Sequence, residues 1–299
     1  MRVAVSASSG LIGTALVREL TDGGHDVVRL VRRPPRSSAE IYWQPEEPSG
    51  GLTPSALSGV DAVIHLSGAP VGPRRWTQAR KAVLRSSRIL STRNLASAMA
   101  AAEPRPRVLL CASAVGYYGD TGDVTVDETS PAGRGFLAHL VADWEAAAAP
   151  ARDAGIRVVH LRSGLVLSPS GGLLSRLLPP FRLGAGAKIG SGRQYMSWIS
   201  LADEISAIRL LLASAEAAGA FNLAAPEPVT NAEFTLALAG ILGRPALLTL
   251  PSPALRMALG ELSGELLGSI RVRPARLQET GFSFAHPDIA TALRAMLAP

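Results

Sequence analysis

The run Val3-Ala4-Val5-Ser6 leads into Ala7-Ser8-Ser9-Gly10-Leu11-Ile12-Gly13, and a Leu/Ala/Arg-bearing stretch continues from Leu11 to Gly23. A short β-branched run, a turn of small residues and a helical stretch make a strand–turn–helix unit. The spacing follows G-x-x-G-x-x-G, with Ala7 standing in the first glycine's place. In such a unit the backbone N–H groups and the helix N-terminus face a phosphate; Gly10 allows close approach of a pyrophosphate and Gly13 close helix–strand packing. A glycine pair also marks an ordinary tight turn. The strand before it and the helix after it, at the start of an α/β pattern, favour dinucleotide binding by Ser9, Gly10, Leu11 and Ile12. Ala7 suits the turn if its φ stays negative; otherwise the loop takes a different path.

Working outward, strands are expected at Val3–Ser6, Val27–Val31, Ala62–Leu66, Arg107–Ala112 and Val158–Leu161, each a compact apolar run of the kind buried in a parallel sheet. Helices are expected at Leu11–Gly23, Arg75–Ala102 and Phe136–Gly155. This alternation implies an α/β fold, a Rossmann-type doubly wound parallel sheet. After Gly164 the texture changes. Residues 168–194 read as loop-rich, and helices follow at about Ala202–Ala218, Asn231–Leu242 and Pro287–Leu297. The expected division is a dinucleotide-binding domain over residues 1–165 plus about 200–225, and a smaller C-terminal substrate lobe over 166–199 and 226–299.

The second strand ends Leu30-Val31-Arg32-Arg33-Pro34, and Arg32 lies 19 residues beyond Gly13. A residue in this region selects the cofactor, an acid for a ribose hydroxyl or an arginine for a 2′-phosphate. Arg32 and Arg33 therefore favour NADP(H) over NAD(H), against the plainer reading of a solvated basic turn.

The 299 residues are 47% hydrophobic and 18% charged, enough for a sizeable core and incompatible with disorder. The single cysteine, Cys111, excludes a disulfide framework and a cysteine-clustered metal site. The five histidines share no ligand spacing, so no metal is expected, and His65 reads as a strand-end or core residue. No apolar run reaches membrane-spanning length and no secretory signal is visible, so a cytoplasmic protein with no membrane partner is expected. The net charge of +6 is dilute, and no nucleic-acid partner is expected.

Charge is distributed unevenly. Between Asp61 and Glu103 there is no acid, yet there are seven cations: Arg74, Arg75, Arg80, Lys81, Arg85, Arg88 and Arg93. Lys81, Arg85 and Arg88 fall on one helical face, where like charges oppose one another by about 0.2–0.5 kcal/mol per pair. The stripe faces either an internal anion, namely cofactor phosphates or an anionic substrate, or an acidic partner. Its place directly after His65-Leu66-Ser67-Gly68-Ala69 favours the internal anion. For Arg80 and Arg93, pairing with distant acids is an equal alternative.

Val5–Gly13, Asp61-Ala62-Val63-Ile64-His65-Leu66-Ser67-Gly68 and Ala112-Ser113-Ala114-Val115-Gly116-Tyr117-Tyr118-Gly119 together resemble the extended short-chain dehydrogenase/reductases, the NAD-dependent epimerase/dehydratase superfamily. More narrowly, Arg75-Trp76, Ser87-Arg88, Asp143-Trp144-Glu145, Arg162–Leu167, Pro180–Gly184, Gly190–Ile199 and the tail from about Pro251 are similar to a subfamily labelled "epimerase family", with a distinct C-terminal domain. Its bacterial members are sometimes described as cell-division inhibitors. The resemblance implies NADP contacts at Arg32, Leu66, Ser67, Arg88 and Leu165, and substrate-side residues at Gln194, Ser197 and Trp198; Gly68, Ser113 and Arg162 are expected to join the cofactor site. Packing between lobes is the alternative role for those last three.

The superfamily's usual proton transfer needs a Tyr four residues before a Lys. Every basic residue but Lys81 and Lys188 is arginine, and the residues four before these are Thr77 and Gly184. Phe136 and Leu140 stand where the family motif would fall. The remaining catalytic candidates are Ser113, Tyr117 and Tyr118 in the loop after the fourth strand, and Lys81, with Ser113, Tyr118 and Lys81 preferred. Two functions follow: an NADP(H)-dependent epimerase or oxidoreductase acting on a small polar substrate, or a non-catalytic NADP-binding protein that senses redox state or regulates a partner. A ligand space walled by Lys81, Tyr118 and Gln194 would favour the first, and a lobe interface packed shut the second. A monomer or homodimer is expected.

Overall fold

The computed structural model describes residues 1–47, 51–72 and 74–297. Seven strands, β1 (Arg2–Ser6), β2 (Asp26–Val31), β3 (Glu40–Tyr42), β4 (Ala62–His65), β5 (Val108–Ala114), β6 (Arg157–Ser163) and β7 (Gly219–Leu223), form one sheet in the order β7-β6-β5-β4-β1-β2-β3. Every neighbouring pair runs parallel. Chain order reverses between β1 and β4, leaving a crevice at the strand C-termini where open α/β sheets bind ligands.

The side chains alternate between two faces, as the pleat requires. Val3, Val5, Ile64, Leu110 and Leu161 turn to one face, which is covered by α1 (Leu11–Asp22) and, from later in the chain, Ile205, Ile208 and Leu211. Ala4, Val63, Leu109 and Cys111 turn to the other, where Leu95 and Met99 cover them. Burial on both faces explains why these strands read as continuous apolar runs.

The expected helix over Arg75–Ala102 begins later and is not uniform. It comprises α2 (Gln78–Arg85), a π-turn at Ser86–Leu90, and α3 (Ser91–Ala101). Thr77 caps α2 by accepting the Arg80 N–H, which excludes Arg75 from the helix. The stretch Phe136–Gly155 divides into α4 (Phe136–Ala146) and α5 (Ala149–Asp153). The loop-rich reading of 168–194 is corrected by α6 (Gly172–Arg182), which carries Pro179 and Pro180 in its final turn. Its Leu174, Leu178 and Phe181 are buried along one face, and that burial outweighs the two lost N–H donors.

The chain continues through α7 (Leu201–Ala213), α8 (Asn231–Leu242), α9 (Ser252–Leu259), α10 (Leu262–Leu267), α11 (Ala275–Glu279) and α12 (Ile289–Leu297). A separate apolar cluster joins Leu174, Phe181, Trp198, Phe234, Leu238 and Leu293. Among the described residues no helix is long and apolar enough to cross a membrane, and no three His, Cys, Asp or Glu side chains gather as metal ligands.

Candidate functional site

The turn before α1 takes the alternative path. Ala7 has φ 49°, the one non-glycine with positive φ among the described residues, and its carbonyl accepts the Gly10 N–H at 2.9 Å. A Cβ on Gly13 would lie 2.2 Å from the same carbonyl oxygen, so only glycine packs there. Gly10 caps α1 without a side-chain hydrogen bond, and the first turn holds no acid. The leading N–H groups of α1 and its positive dipole end are therefore open to an anion. From the later chain Gly171 crosses this point, its Cβ position 3.1 Å from Leu11.

At the end of β2 the two arginines part company. Arg33 donates twice to Glu40 on β3, at 2.8 and 2.6 Å, and the Arg36 backbone N–H adds a third bond at 2.7 Å. These bonds hold the Glu40 carboxyl down to about 2. Arg32 is exposed and forms no ion pair among the described residues.

At the end of β4 a buried hub aligns the crevice floor. Ser6 Oγ accepts from the Leu66 N–H at 2.9 Å and from Ser67 Oγ at 3.0 Å, and faces His65 Nδ1 at 2.9 Å. Burial pushes the imidazole down to about 3, so His65 is neutral. This bonding makes it a satisfied core residue, the role expected of it.

Arg88 sits in the π-turn and is 9% exposed. Its guanidinium lies against Gly68, with Cζ 3.1 Å from where a Cβ would stand, and over the Trp144 ring at 5.1 Å. Its hydrogen bond is to the Leu84 carbonyl at 3.3 Å, and it has no carboxylate partner among the described residues. Burial, and then nearby Arg80, push its pKa down to about 10. A buried cation without a counterion is costly, so Arg88 presents a demand for a bound anion.

The C-termini of β5 and β6 carry a closed polar chain. Arg162 donates to both oxygens of Glu145 at 2.8 Å, Ser113 Oγ donates to Glu145 at 2.6 Å, and Arg162 also donates to the Tyr118 hydroxyl at 3.0 Å. Tyr118 in turn donates to Asn222 at 2.8 Å. Burial favours a protonated Glu145, yet the Arg162 bonds outweigh it and hold the carboxyl below its usual range. Burial pushes the Tyr118 phenol up to about 12. Glu145 and Asn222 escaped sequence reading as functional residues. The one signal was Glu145's place in Asp143-Trp144-Glu145.

Lys81, Tyr118 and Gln194 each engage different partners, and Tyr118 is the one of the three in the Glu145–Arg162 chain. Lys81 pairs with Glu261 and lies over the Phe136 ring at 5.0 Å, while Arg85 pairs with Asp143 at 2.7 Å. Distant acids thus pair with Lys81 and Arg85, and among the described residues none pairs with Arg80 or Arg93. Phe136 stacks edge-on against Trp76, and Leu140 joins Trp76, Leu84 and Leu262 in an apolar cluster beneath the α9–α10 segment. Gln194 donates to the Ile189 and Leu266 carbonyls, Ser197 to the Ile270 carbonyl and Trp198 to the Glu227 carbonyl. All three are buried and fasten strands and loops to one another. Leu165 is exposed at the head of Leu165–Ser168, a strand that runs beside Trp198–Ser200.

The sequence pattern of the NAD dependent epimerase/dehydratase family matches residues 4–224. The chain belongs to that family. Residues 250–296 match a second pattern, a domain of unknown function, DUF1731. An epimerase family protein of Mycobacterium bovis is 51% identical over 292 residues, covering 97% of this chain and 96% of the relative. The epimerase family protein SDR39U1 of Homo sapiens is 36% identical, with both chains covered in full. The crystal structure of human SDR39U1 (isoform2) with NADPH superposes with a TM-score of 0.89 at 33% identity, covering 99% of each chain. A nucleoside-diphosphate sugar epimerase from Corynebacterium glutamicum superposes with a TM-score of 0.82 at 35% identity, covering 99% of this chain and 58% of that one.

Proposed function

We propose that this chain binds NADP(H) across the crevice and acts as an epimerase- or oxidoreductase-like protein on a small polar substrate, without a Tyr–Lys pair. The carrying observation is the division of labour at the β2 end. Arg33 and the Arg36 backbone neutralise Glu40, leaving Arg32 free for a 2′-phosphate beside a helix N-terminus that no side chain caps. In this reading Ser9, Gly10, Leu11 and Ile12 hold the pyrophosphate. Leu66, Ser67, Gly68, Arg88 and Leu165 line the path towards the reacting end. The human relative crystallised with NADPH supports the choice of cofactor.

The fit rests on the chain's own groups: the open α1 terminus, the glycine-lined turn and the uncompensated buried charge of Arg88 all suit a polyanionic dinucleotide. When bound, the nicotinamide supplies hydride transfer. Ser113 has its hydrogen committed to Glu145, so its remaining capacity is that of an acceptor, suited to a substrate hydroxyl. Arg162 keeps Glu145 ionised and thereby fixes that orientation. We assign cofactor binding to the sheet domain and substrate binding to the lobe built on residues 166–199 and 226–299.

Titrating the wild-type protein with NADPH and NADH by fluorescence tests the cofactor assignment. NADPH is expected to bind about tenfold or more tightly; equal affinities would overturn it. The apolar packing of Phe136 and Leu140 beneath Leu262 favours a second reading, a non-catalytic NADP(H)-binding regulator. Loss of nicotinamide absorbance with any member of a panel of sugar and keto-acid carbonyl compounds supports an enzyme. Tight NADPH retention with no turnover across the panel supports the regulator.

A further inference from the structure

α8 (Asn231–Leu242) has an unusual composition for a helix with a side open to solvent, since Glu233 is its one charged residue. A surface helix ordinarily carries charge along its outer face, and a helix that is apolar all round is ordinarily enclosed. One side of α8 is enclosed. Phe234, Leu238 and Ala239 enter the lobe core, Asn231 Oδ1 accepts the Ile189 N–H at 2.7 Å, and the Gln194 carbonyl accepts the Asn231 N–H at 2.9 Å. The other side is open. Leu236 is 66% exposed, and with Ala237, Gly240 and Ile241 it lines a hollow of about 400 Å³ that Ala290 and Arg294 of α12 complete. A Cβ on Gly240 would meet nothing within 4 Å, so the helix backbone itself can be approached closely. The ends of this stripe carry opposite charges. Glu233 stands in the first turn and Arg244 directly after Gly243, which ends the helix; both are exposed, and Arg244 has no ion pair among the described residues. Glu233 commits Oε2 to Thr230 in the capping box, which leaves Oε1 for a cation.

We propose that this face binds a second copy of the same chain, α8 packing antiparallel on α8 across a two-fold axis. The occupant follows from the order of the residues. A two-fold axis through the midpoint between Leu238 and Ala239 pairs Leu236 with Ile241, Ala237 with Gly240 and Glu233 with Arg244, each pair made twice. Large apolar groups then meet large, small residues meet small at the centre, and acid meets base at both ends. A parallel arrangement would instead set Glu233 against Glu233 and Arg244 against Arg244. Burial of Leu236 and Ile241 drives the association, while the exposed ion pairs fix orientation more than affinity. The bonds from Asn231 hold α8 rigid from its enclosed side, so little ordering is needed on docking. One helix pair with its α12 flanks lies at the low end of specific interfaces, below about 1,200 Å², so a dissociation constant of about 10–100 μM is expected. The proposal does not depend on the NADP(H) reading.

Sedimentation equilibrium of the full chain between about 1 μM and 1 mM tests the interface. A reversible monomer–dimer equilibrium is expected. Leu236→Glu, at a side chain outside the core, is expected to weaken the dimer about tenfold or more. Arg244→Glu sets carboxylates opposite one another and is expected to weaken it by a similar factor. Glu233→Arg combined with Arg244→Glu exchanges the signs and is expected to restore association to within about threefold of the wild type. Thr230 still caps α8 in that double variant, because its Oγ1 accepts the backbone N–H of position 233 at 3.2 Å. Circular dichroism and melting show that each variant is folded, and Leu236→Glu decides alone if the double variant melts early. Three results would overturn the proposal. A monomer across the whole range would assign the face to a different protein. A dimer indifferent to Leu236→Glu would place the contact elsewhere on the chain. A folded double variant no stronger than Arg244→Glu would rule out the antiparallel pairing.

Discussion

Arg33 closes on Glu40 through two hydrogen bonds, Nη1 to Oε2 at 2.8 Å and Nη2 to Oε1 at 2.6 Å. That lock engages the Glu40 carboxylate and leaves Arg32, which is exposed, without an ion pair among the described residues. Arg32→Asp is therefore expected to weaken NADPH binding by about tenfold to a hundredfold, the loss of a charge-assisted contact plus a new repulsion. NADH binding should change less than about threefold. Arg33→Gln should also erode the preference for NADPH, because it releases Glu40. Fluorescence titration of both cofactors measures all of this, and equal losses for NADPH and NADH in Arg32→Asp would refute the 2′-phosphate role.

The Gly-rich turn makes a prediction about stability alone. Ala7 occupies the left-handed region, which costs an L-residue about 1–2 kcal/mol, while glycine adds about 0.4–1 kcal/mol of unfolded-state entropy. Ala7→Gly should thus be stabilising by a net amount of about 0.5–1 kcal/mol. Gly13→Ala should be destabilising by more than about 3 kcal/mol, since its methyl would overlap the Ala7 carbonyl. Urea unfolding midpoints would show opposite shifts. A lower midpoint for Ala7→Gly would mean the turn is not strained.

The strand–turn–helix unit and the five central strands were legible because burial on both faces leaves unbroken apolar runs. Edges were not. β3 has three residues, Glu40–Tyr42, and its identity comes from pairing Leu30 with Ile41, not from local preference. β7 begins Gly219-Ala220, poor strand formers that are ordered by β6. In α6 the period of Leu174, Leu178 and Phe181 was present in the sequence but masked by Pro179-Pro180. The site shows the same divide. Arg32 and Arg33 were visible as a pair, yet which one is free depends on Glu40 in the next strand. Glu145 was visible only as a letter in a motif, because its partners Ser113 and Arg162 lie 32 and 17 residues away.

Removing one member of the Glu145–Arg162 pair should be far worse than removing both. Glu145→Gln leaves Arg162, which is 4% exposed, without its counterion, an expected loss of about 3–5 kcal/mol. Adding Arg162→Met should restore part of it, because the buried charge is then gone, although the stacking of Arg162 on Tyr117 at 3.5 Å is lost as well. A double-mutant cycle from chemical denaturation reads the coupling. Additive losses would show that the pair contributes nothing beyond its separate packing.

Glu204 behaves oppositely to Glu145, and its effect should be seen in pH. It is 1% exposed, accepts from Ser163 Oγ at 2.6 Å through one oxygen, and its other oxygen, Oε2, is buried without a partner. Burial pushes its carboxyl up to about 7 from an ordinary 4.5. Between those values the folded chain keeps the proton that the unfolded chain has released, so stability falls as pH rises through that window and levels off above it. The loss is on the order of 3 kcal/mol once the group is ionised. Glu204→Gln keeps an acceptor for Ser163 and cannot ionise. Its stability should therefore lack this component of the decline and exceed the wild type's at pH values above the folded pKa, while matching it in mild acid. Melting temperatures of the two proteins followed across the window decide the matter: parallel curves would mean that Glu204 is ionised in the fold and that a bound water or cation satisfies its second oxygen.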